Sequence, residues 1–382
     1  MTNTGFTLPI LLRSTKIPSI NKAVFMSEVV DAPTNPIKGR GTASALPGRF
    51  AIARVELDET GEPLPNPATQ EHRETAKSLI TRNQSPDVGF NLSINPYRGC
   101  EHGCIYCFAR PTHAYLDLSP GIDFETRISI KHNAPALFER ELRRPGYRCE
   151  PIALGINTDA YQPVERHWRI TRRLLEVAFK FRQPVSIITK SALVLRDRDI
   201  LAQMAEQKLV HAAVSVTTLD NGLKRILEPR TASGDMRLKV VEKLRTAGIP
   251  VSVLIAPVIP FINDRELESI VAASAEAGAQ SAGYVLLRLP HEVAPLFVEW
   301  LHTHFPERAE RVLACIREMR GGKLYDSRFG VRMTGQGTYA NLINQRFNIA
   351  KRKFGLSNER LQTLDCSRFK VPDMDEGQLT LF

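Results

Sequence analysis

The chain has 382 residues, 43% of them hydrophobic and 24% charged, with a formal net charge of +10. These are ordinary globular proportions, and they exclude collagen-like, coiled-coil and wholly disordered chains. No apolar run approaches the ~20 residues of a membrane span. The apolar stretch 8–12, followed by Arg13 and Lys16, has the wrong order and length for a signal peptide. A cytoplasmic location with no membrane partner is therefore expected. In that compartment the six cysteines stay reduced and are available as ligands or nucleophiles.

Residues 1–85 show weak periodicity and recurrent Pro and Gly. They read as a loose, irregular extension with one short strand at 49–55, and Met26 is an alternative start. From residue 90 onward, short β-branched apolar runs alternate with helical periodicity. Strands are expected at 90–94, 152–156, 185–189, 211–216, 251–256 and 283–287. Helices are expected at 134–144, 164–181, 193–207, 235–247 and 265–277, then at 294–304 and 307–320. Gly248 and Gly278 mark helix ends. Such alternation means an α/β fold, a parallel sheet covered by helices. Six units predict an open, TIM-like (β/α)6 partial barrel over 86–290, followed by a basic helical region over 291–382. In 317–360, ten cations face three acids, so this segment holds seven of the ten net charges. It suits either a solvated helical face or the footprint of a polyanion such as DNA or RNA.

The string from Asn95 through Pro96, Tyr97, Arg98 and Gly99 to Cys100 opens a C-x3-C-x2-C cluster made of Cys100, Cys104 and Cys107. Three thiolates within eight residues need a tight backbone, which Gly99 and Gly103 permit. Soft thiolates select zinc or iron–sulfur. A closed zinc site wants four ligands, and His102 between two of the cysteines is poorly placed as the fourth. Three thiolates around a centre with one open position is the better reading.

This arrangement resembles the radical S-adenosylmethionine (SAM) superfamily, whose C-x3-C-x-aromatic-C signature follows the first strand of a six-stranded partial barrel. Tyr106 fills the aromatic position. The resemblance implies a [4Fe–4S] cluster on Cys100, Cys104 and Cys107, with one iron open to the amino and carboxylate groups of SAM. It implies an external electron donor of flavodoxin or ferredoxin type. It also implies reductive cleavage of SAM to a 5′-deoxyadenosyl radical that takes hydrogen from a substrate.

In a parallel barrel, functional groups gather at the C-terminal strand ends. Those positions carry Asn157, Thr158, Asp159, Tyr161 and Gln162 after the second strand, and Lys190 and Ser191 after the third. Ser215, Thr217 and Thr218, then the Glu228-Pro229-Arg230 string, follow at the fourth; Asn263 and Asp264 follow the fifth, and the sixth ends at Arg288. Several of these also suit plain structural roles: Thr158, Asp159 and Asp264 as helix caps, Lys190 and Arg230 as surface charges. The superfamily often contacts the SAM amino group through a Gly-Gly-Glu stretch. Here Asn157, Thr158 and Asp159 stand in that place. Lys190 and Arg230 suit the SAM carboxylate.

The strings from Asn157 to Pro163, from Ile188 to Ser191 and from Leu227 to Arg230 are similar to the branch related to spore photoproduct lyase, a DNA repair photolyase-like group. So are the 38–41 stretch and the 326–330 tail motif. This likeness implies a lyase acting on a nucleic-acid lesion; a protein or small-metabolite substrate, and a non-catalytic metal-stabilised binding module, are the alternatives. Spore photoproduct lyase has a thiol just ahead of the polar pair after its second strand. Ile156 takes that place here, and Cys149 belongs toward the opposite end of the strand.

Overall fold

The computed structural model describes residues 37–50, 68–356 and 363–373. Most of the strand expected at 49–55, and Met26, lie outside the described residues. Ten strands are described: β1 (Gln70–Glu74), β2 (Thr81–Arg82), β3 (Leu92–Ile94), β4 (Tyr97–Arg98), β5 (Arg127–Lys131), β6 (Ile152–Leu154), β7 (Val185–Thr189), β8 (Val210–Ser215), β9 (Val251–Val258) and β10 (Ser281–Leu286). The main sheet runs β10-β9-β8-β7-β6-β3-β2. Its six strands from β3 to β10 are parallel and lie in sequence order, while β2 pairs antiparallel at the β3 edge. This is the expected open six-stranded partial barrel. A small sheet, β1-β5-β4, was not foreseen and sits against the cysteine loop.

The strands alternate between two environments. Val185, Ile187, Val210, Ala212, Val214, Val251, Val253 and Ile255 are buried under the helices. The intervening residues are half-exposed: Ser186 and Ile188 on β7, His211 and Ala213 on β8, Ser252 and Leu254 on β9. Register sets Ser186 beside His211, Ile188 beside Ala213, and Ala213 beside Ser252. This second row lines the inside of the barrel. Closed eight-stranded barrels fill that space with bulky side chains. Here the row mixes Ser186, Ala213 and Ser252 with Ile188, His211 and Leu254, all of them half-exposed.

Helices expected from periodicity are present, with three adjustments. The 164–181 helix is two, Glu165–Trp168 and Ile170–Lys180, because Arg169 adopts a left-handed conformation. The next opens with a 3-10 stretch, Ala192–Asp197, before Arg198–Glu206. Asp264 does not cap the helix Leu267–Glu276; its carboxylate accepts a hydrogen bond from the Tyr339 hydroxyl. Beyond the barrel, Val293–His304 and Ala309–Met319 precede a long helix, Gly337–Lys353. That helix docks through Arg346 on Glu268 at 2.7 Å and through Phe347 on Tyr284, ring centroids 4.8 Å apart. The loop between these helices joins both ends of the sheet. The Leu286 amide donates to the Met333 carbonyl at 2.9 Å, and Arg332 pairs with Asp87, which lies just ahead of β3. Among the described residues, no helix is long and apolar enough to cross a membrane.

One glycine turns the chain into the mouth. β6 stops at Leu154 because Gly155 takes a φ of 77°, and a Cβ there would lie 2.9 Å from the Ala160 amide nitrogen. Gly155→Ala is therefore expected to lower unfolding free energy by about 1–3 kcal/mol. Urea unfolding followed by circular dichroism measures this, and an unchanged midpoint would refute the strain argument.

Candidate functional site

The cysteine loop leaves β4 at the C-terminal end of the sheet and folds back on itself. Cys100 donates its amide to the Phe124 carbonyl at 2.8 Å, and Cys107 donates to the Cys104 carbonyl at 3.2 Å. Gly103, at a φ of 65°, lets the chain pass under Glu125, and the 38–41 stretch presses on the same point. A Cβ on Gly41 would overlap the Gly103 carbonyl oxygen. The Gly41 amide donates to Glu125 at 3.0 Å.

Four buried polar groups fasten this loop. Arg110 donates to the Cys104 carbonyl at 3.0 Å and pairs with Glu125 at 2.5 Å; both side chains are 0% exposed. Burial raises the Glu125 carboxyl, with Arg110 opposing. The Gln162 side chain accepts from the Glu101 amide at 3.0 Å and donates to the Gly99 carbonyl at 3.1 Å. Glu101 accepts from the Val164 amide at 2.8 Å and pairs with Arg230 at 3.1 Å. Beneath the loop, the Tyr106 hydroxyl donates to Glu228, which also pairs with Arg237. Thr217 donates to the same carboxylate at 2.7 Å. Burial works to raise Glu228, but Arg237, then Lys190, hold it down at about 2.

The three cysteines lie close enough in this frame for their charges to bear on one another. Burial, then the Asp159, Cys104 and Cys107 charges, pushes the Cys100 thiol well up, while the Asp159 amide donates to its sulfur. Burial, then Glu228, raises Cys104 to about 12. The protein alone therefore keeps both as thiols, and a bound metal is what deprotonates them. Among the described residues, no three His, Cys, Asp and Glu side chains converge on one metal ion. A multi-iron cluster does not need that, because each thiolate takes a different iron.

The remaining expected residues ring the same mouth. Asp159 is held by Thr189 at 2.7 Å, by the Lys190 amide at 2.7 Å and by the His102 ring at 3.4 Å. Burial opposes its ionisation, but His102 and these donors bring it to about 2. Thr158 donates to the Tyr97 carbonyl at 3.1 Å, and Ser191 caps the following 3-10 turn. Asn157 is exposed, its amide fixed on Asn95 at 2.8 Å. Lys190 continues the inner row beyond Ile188. Its ammonium lies 5.9 Å from the Tyr106 ring centroid, and among the described residues it forms no salt bridge. Ser215 closes the neighbouring inner row, and its hydroxyl is buried without a hydrogen-bond partner. Cys149 lies at the far end of the barrel, donating to Gln183 at 3.5 Å beside the start of β7.

Sequence reasoning missed Arg110, Glu125 and Arg237. Arg237 lies in the helix Gly234–Thr246, where an arginine looks like a solvated charge. Glu228 was visible only as part of its Glu-Pro-Arg string.

The geometry agrees with what known proteins show. The radical SAM superfamily description matches residues 94–273. An uncharacterized protein of Mycobacterium tuberculosis is 38% identical over 245 residues, 63% of this chain and 72% of the relative. One from Methanocaldococcus jannaschii is 29% identical over 191 residues, 50% of this chain and 68% of that one. The fold is similar to spore photoproduct lyase complexed with dinucleoside spore photoproduct, with a TM-score of 0.55 and 14% identity over 74% of this chain and 79% of that one. The chain belongs to the radical SAM superfamily. Its cofactors are accordingly a [4Fe–4S] cluster and SAM, and its chemistry needs a reductant.

Glu228→Gln is expected to cost about 3–5 kcal/mol, because it strands the buried Arg237 charge. The native Glu228 titrates at about 2, below the ordinary 4.5. Its stabilisation is thus full above pH 4.5 and lost as pH falls toward 2. The variant should show a shallower acid limb in a urea-midpoint profile against pH. A parallel limb would show that the pair carries no such linkage.

Proposed function

We propose that this protein is a radical SAM enzyme whose cluster is held by Cys100, Cys104 and Cys107 and whose substrate is a nucleic-acid lesion. The observation that carries the first part is the grouping of three cysteines on one glycine-turned loop at the mouth of an open parallel barrel. When bound, the cluster and SAM supply a one-electron route to hydrogen abstraction. The residues of the chain orient and enclose these groups. Tyr106, anchored on Glu228, fixes the loop between the second and third cysteines. The Asp159 amide, directed at Cys100, favours its thiolate.

Lys190 and Ser215 are the groups proposed for SAM. Among the described residues Lys190 is a half-buried cation in no salt bridge, placed for a carboxylate. Among them the buried Ser215 hydroxyl lacks a hydrogen-bond partner, a cost that a bound ligand relieves. Asn157 offers its exposed side-chain carbonyl oxygen as an acceptor for the amino group. Thr158, Asp159, Ser191 and Arg230 act through the backbone they hold, Arg230 by way of Glu101. Ser186, Ala213 and Ser252, half-exposed on the inner row of the sheet, form the face proposed to receive the substrate.

The nucleic-acid reading rests on the basic segment after residue 317 and on likeness of fold to a lyase crystallised with a dinucleoside lesion. A lyase of the repair type in the cytoplasm is the form proposed, reduced by a flavodoxin or ferredoxin. A protein or small-metabolite substrate, with the basic segment a solvated face, is the competing reading. Ile156, rather than a thiol, ahead of Asn157 means the hydrogen returned to product comes from another donor.

Anaerobic reconstitution is expected to load about four irons per chain with broad visible absorbance. Dithionite should then release 5′-deoxyadenosine from SAM. Cys104→Ala should lose both iron and cleavage, and cleavage surviving in that variant would refute the assignment. Lys190→Met should weaken SAM binding by roughly tenfold, read by calorimetry on the loaded protein. Unchanged affinity would remove Lys190 from the SAM site.

A further inference from the structure

The loop 320–332 carries four cations, Arg320, Lys323, Arg328 and Arg332, against the single acid Asp326. It also presents Phe329, 58% exposed. The Arg332 guanidinium backs that ring at 4.8 Å from its centroid, held there by Asp87 and Ser85. The Arg328 side chain reaches solvent beside it. A second ring of the same kind stands at the cysteine loop. Phe108 directly follows Cys107, is 41% exposed, and lies under the Arg288 guanidinium at 5.1 Å. The Arg288 Nε is buried without a partner. Arg288 also donates to the Met333 sulfur at 3.5 Å, and Met333 directly follows Arg332, so the two ring–arginine pairs stand on one strip.

An exposed aromatic ring on a buried hydrophobic patch would be a folding liability; one clamped by an arginine is a rigid platform. Two such platforms, each backed by an arginine, suit a polyanion that carries flat rings. An intact duplex hides its base faces, whereas an unpaired strand or extruded base offers them.

We propose that the strip from Phe108 through Arg288 and Arg332 to Phe329 is a stacking track for an unpaired nucleic-acid strand. Bases lie on the two rings, and Arg288 and Arg328 meet phosphates. The track leads from the surface to the cysteine loop, so it delivers a base to the mouth of the barrel. This inference rests on the nucleic-acid reading above and names the form of nucleic acid and the residues that take it.

The test is fluorescence anisotropy with the full-length, anaerobically reconstituted protein and labelled oligothymidylate or oligouridylate of ~12 nucleotides. Binding at ~50 mM salt, weakening steeply by ~200 mM, is expected for either strand. A preference between the two separates DNA from RNA. Phe329→Ala should raise Kd about tenfold with the salt slope unchanged, and Phe329→Trp should restore affinity. Arg328→Ala should reduce the slope by about 0.7. Arg352→Ala, on the exposed face of the last helix, should leave both unchanged. No binding at ~50 mM salt, equal binding of a matched duplex or a polyglutamate peptide, or full affinity in Phe329→Ala would overturn the track. So would an Arg352→Ala loss equal to that of Arg328→Ala. SAM cleavage by the same wild-type preparation separates the two failures. Cleavage without strand binding removes the track alone; strand binding without cleavage removes the enzymatic reading.

Discussion

Two arginine–carboxylate pairs taken entirely out of water govern the mouth of this barrel. Arg110 with Glu125 lies on one side of the cysteine loop, and Arg237 with Glu228 lies beneath it. Burying such charges costs several kcal/mol each, and a well-packed apolar core would be as stable. What they supply is geometry. A guanidinium in a buried pair satisfies its donors in one arrangement only. Arg110 uses its spare donors on the Cys104, Pro120 and Gly121 carbonyls. Arg237 uses its own on the Ser215 and Ala232 carbonyls and on Thr231. A loop with two left-handed glycines and little apolar side chain of its own would otherwise sample many shapes. The pairs hold it in one.

The same network ties the loop to the sheet. Glu228 joins Tyr106 of the loop to Thr217, whose hydroxyl oxygen also lies 3.0 Å from the Ala256 carbonyl oxygen. Asp159 joins the turn after β6 to the end of β7 and to His102. The strand ends after β6, β7, β8 and β9 are thereby referenced to the cysteines rather than left to independent loops. Ser215 lies in that same sheet and Lys190 directly follows a strand of it, and among the described residues the Lys190 ammonium forms no salt bridge and the Ser215 hydroxyl has no hydrogen-bond partner. Their positions are fixed by strand register.

Much of this was legible in the sequence, and the reasons divide cleanly. The barrel strands announce themselves because Val185, Ile187, Val210, Val214, Val251 and Val253 must be apolar to meet the helices. The cysteines announce themselves by spacing, three within eight residues on a stretch that Gly99 and Gly103 let turn tightly. The helix break at Arg169 had no local signal, because the residue that turns is neither Gly nor Pro. β1 is Gln-Glu-His-Arg-Glu, exposed at four of five positions, so no hydrophobic period betrays it. The buried pairs were illegible for a different reason. Tyr106 and Glu228 are 122 residues apart, and nothing in either neighbourhood specifies the other. A buried charge looks in sequence like a surface charge until the fold brings its partner.

The basic segment shows why net charge alone decides little. Arg346 is spent on Glu268, Arg332 on Asp87 and Arg328 partly on Asp326, while Arg320 is buried with its donors on the Val331 and Leu287 carbonyls. Several charges that give the segment its excess are thus structural: they dock the last helix and fasten the 320–336 loop between β10 and the segment ahead of β3. An open barrel has two free edges, and fastening them across the gap is work that a basic loop does well when acids wait on the other side. The charge left over for a polyanion is smaller than the sequence total, and within the loop that exposes Phe329 it comes down to Lys323 and the exposed part of Arg328. Any partner drawn to this surface must therefore be recognised by the arrangement of a few groups, with the long-range field serving only to bring it near.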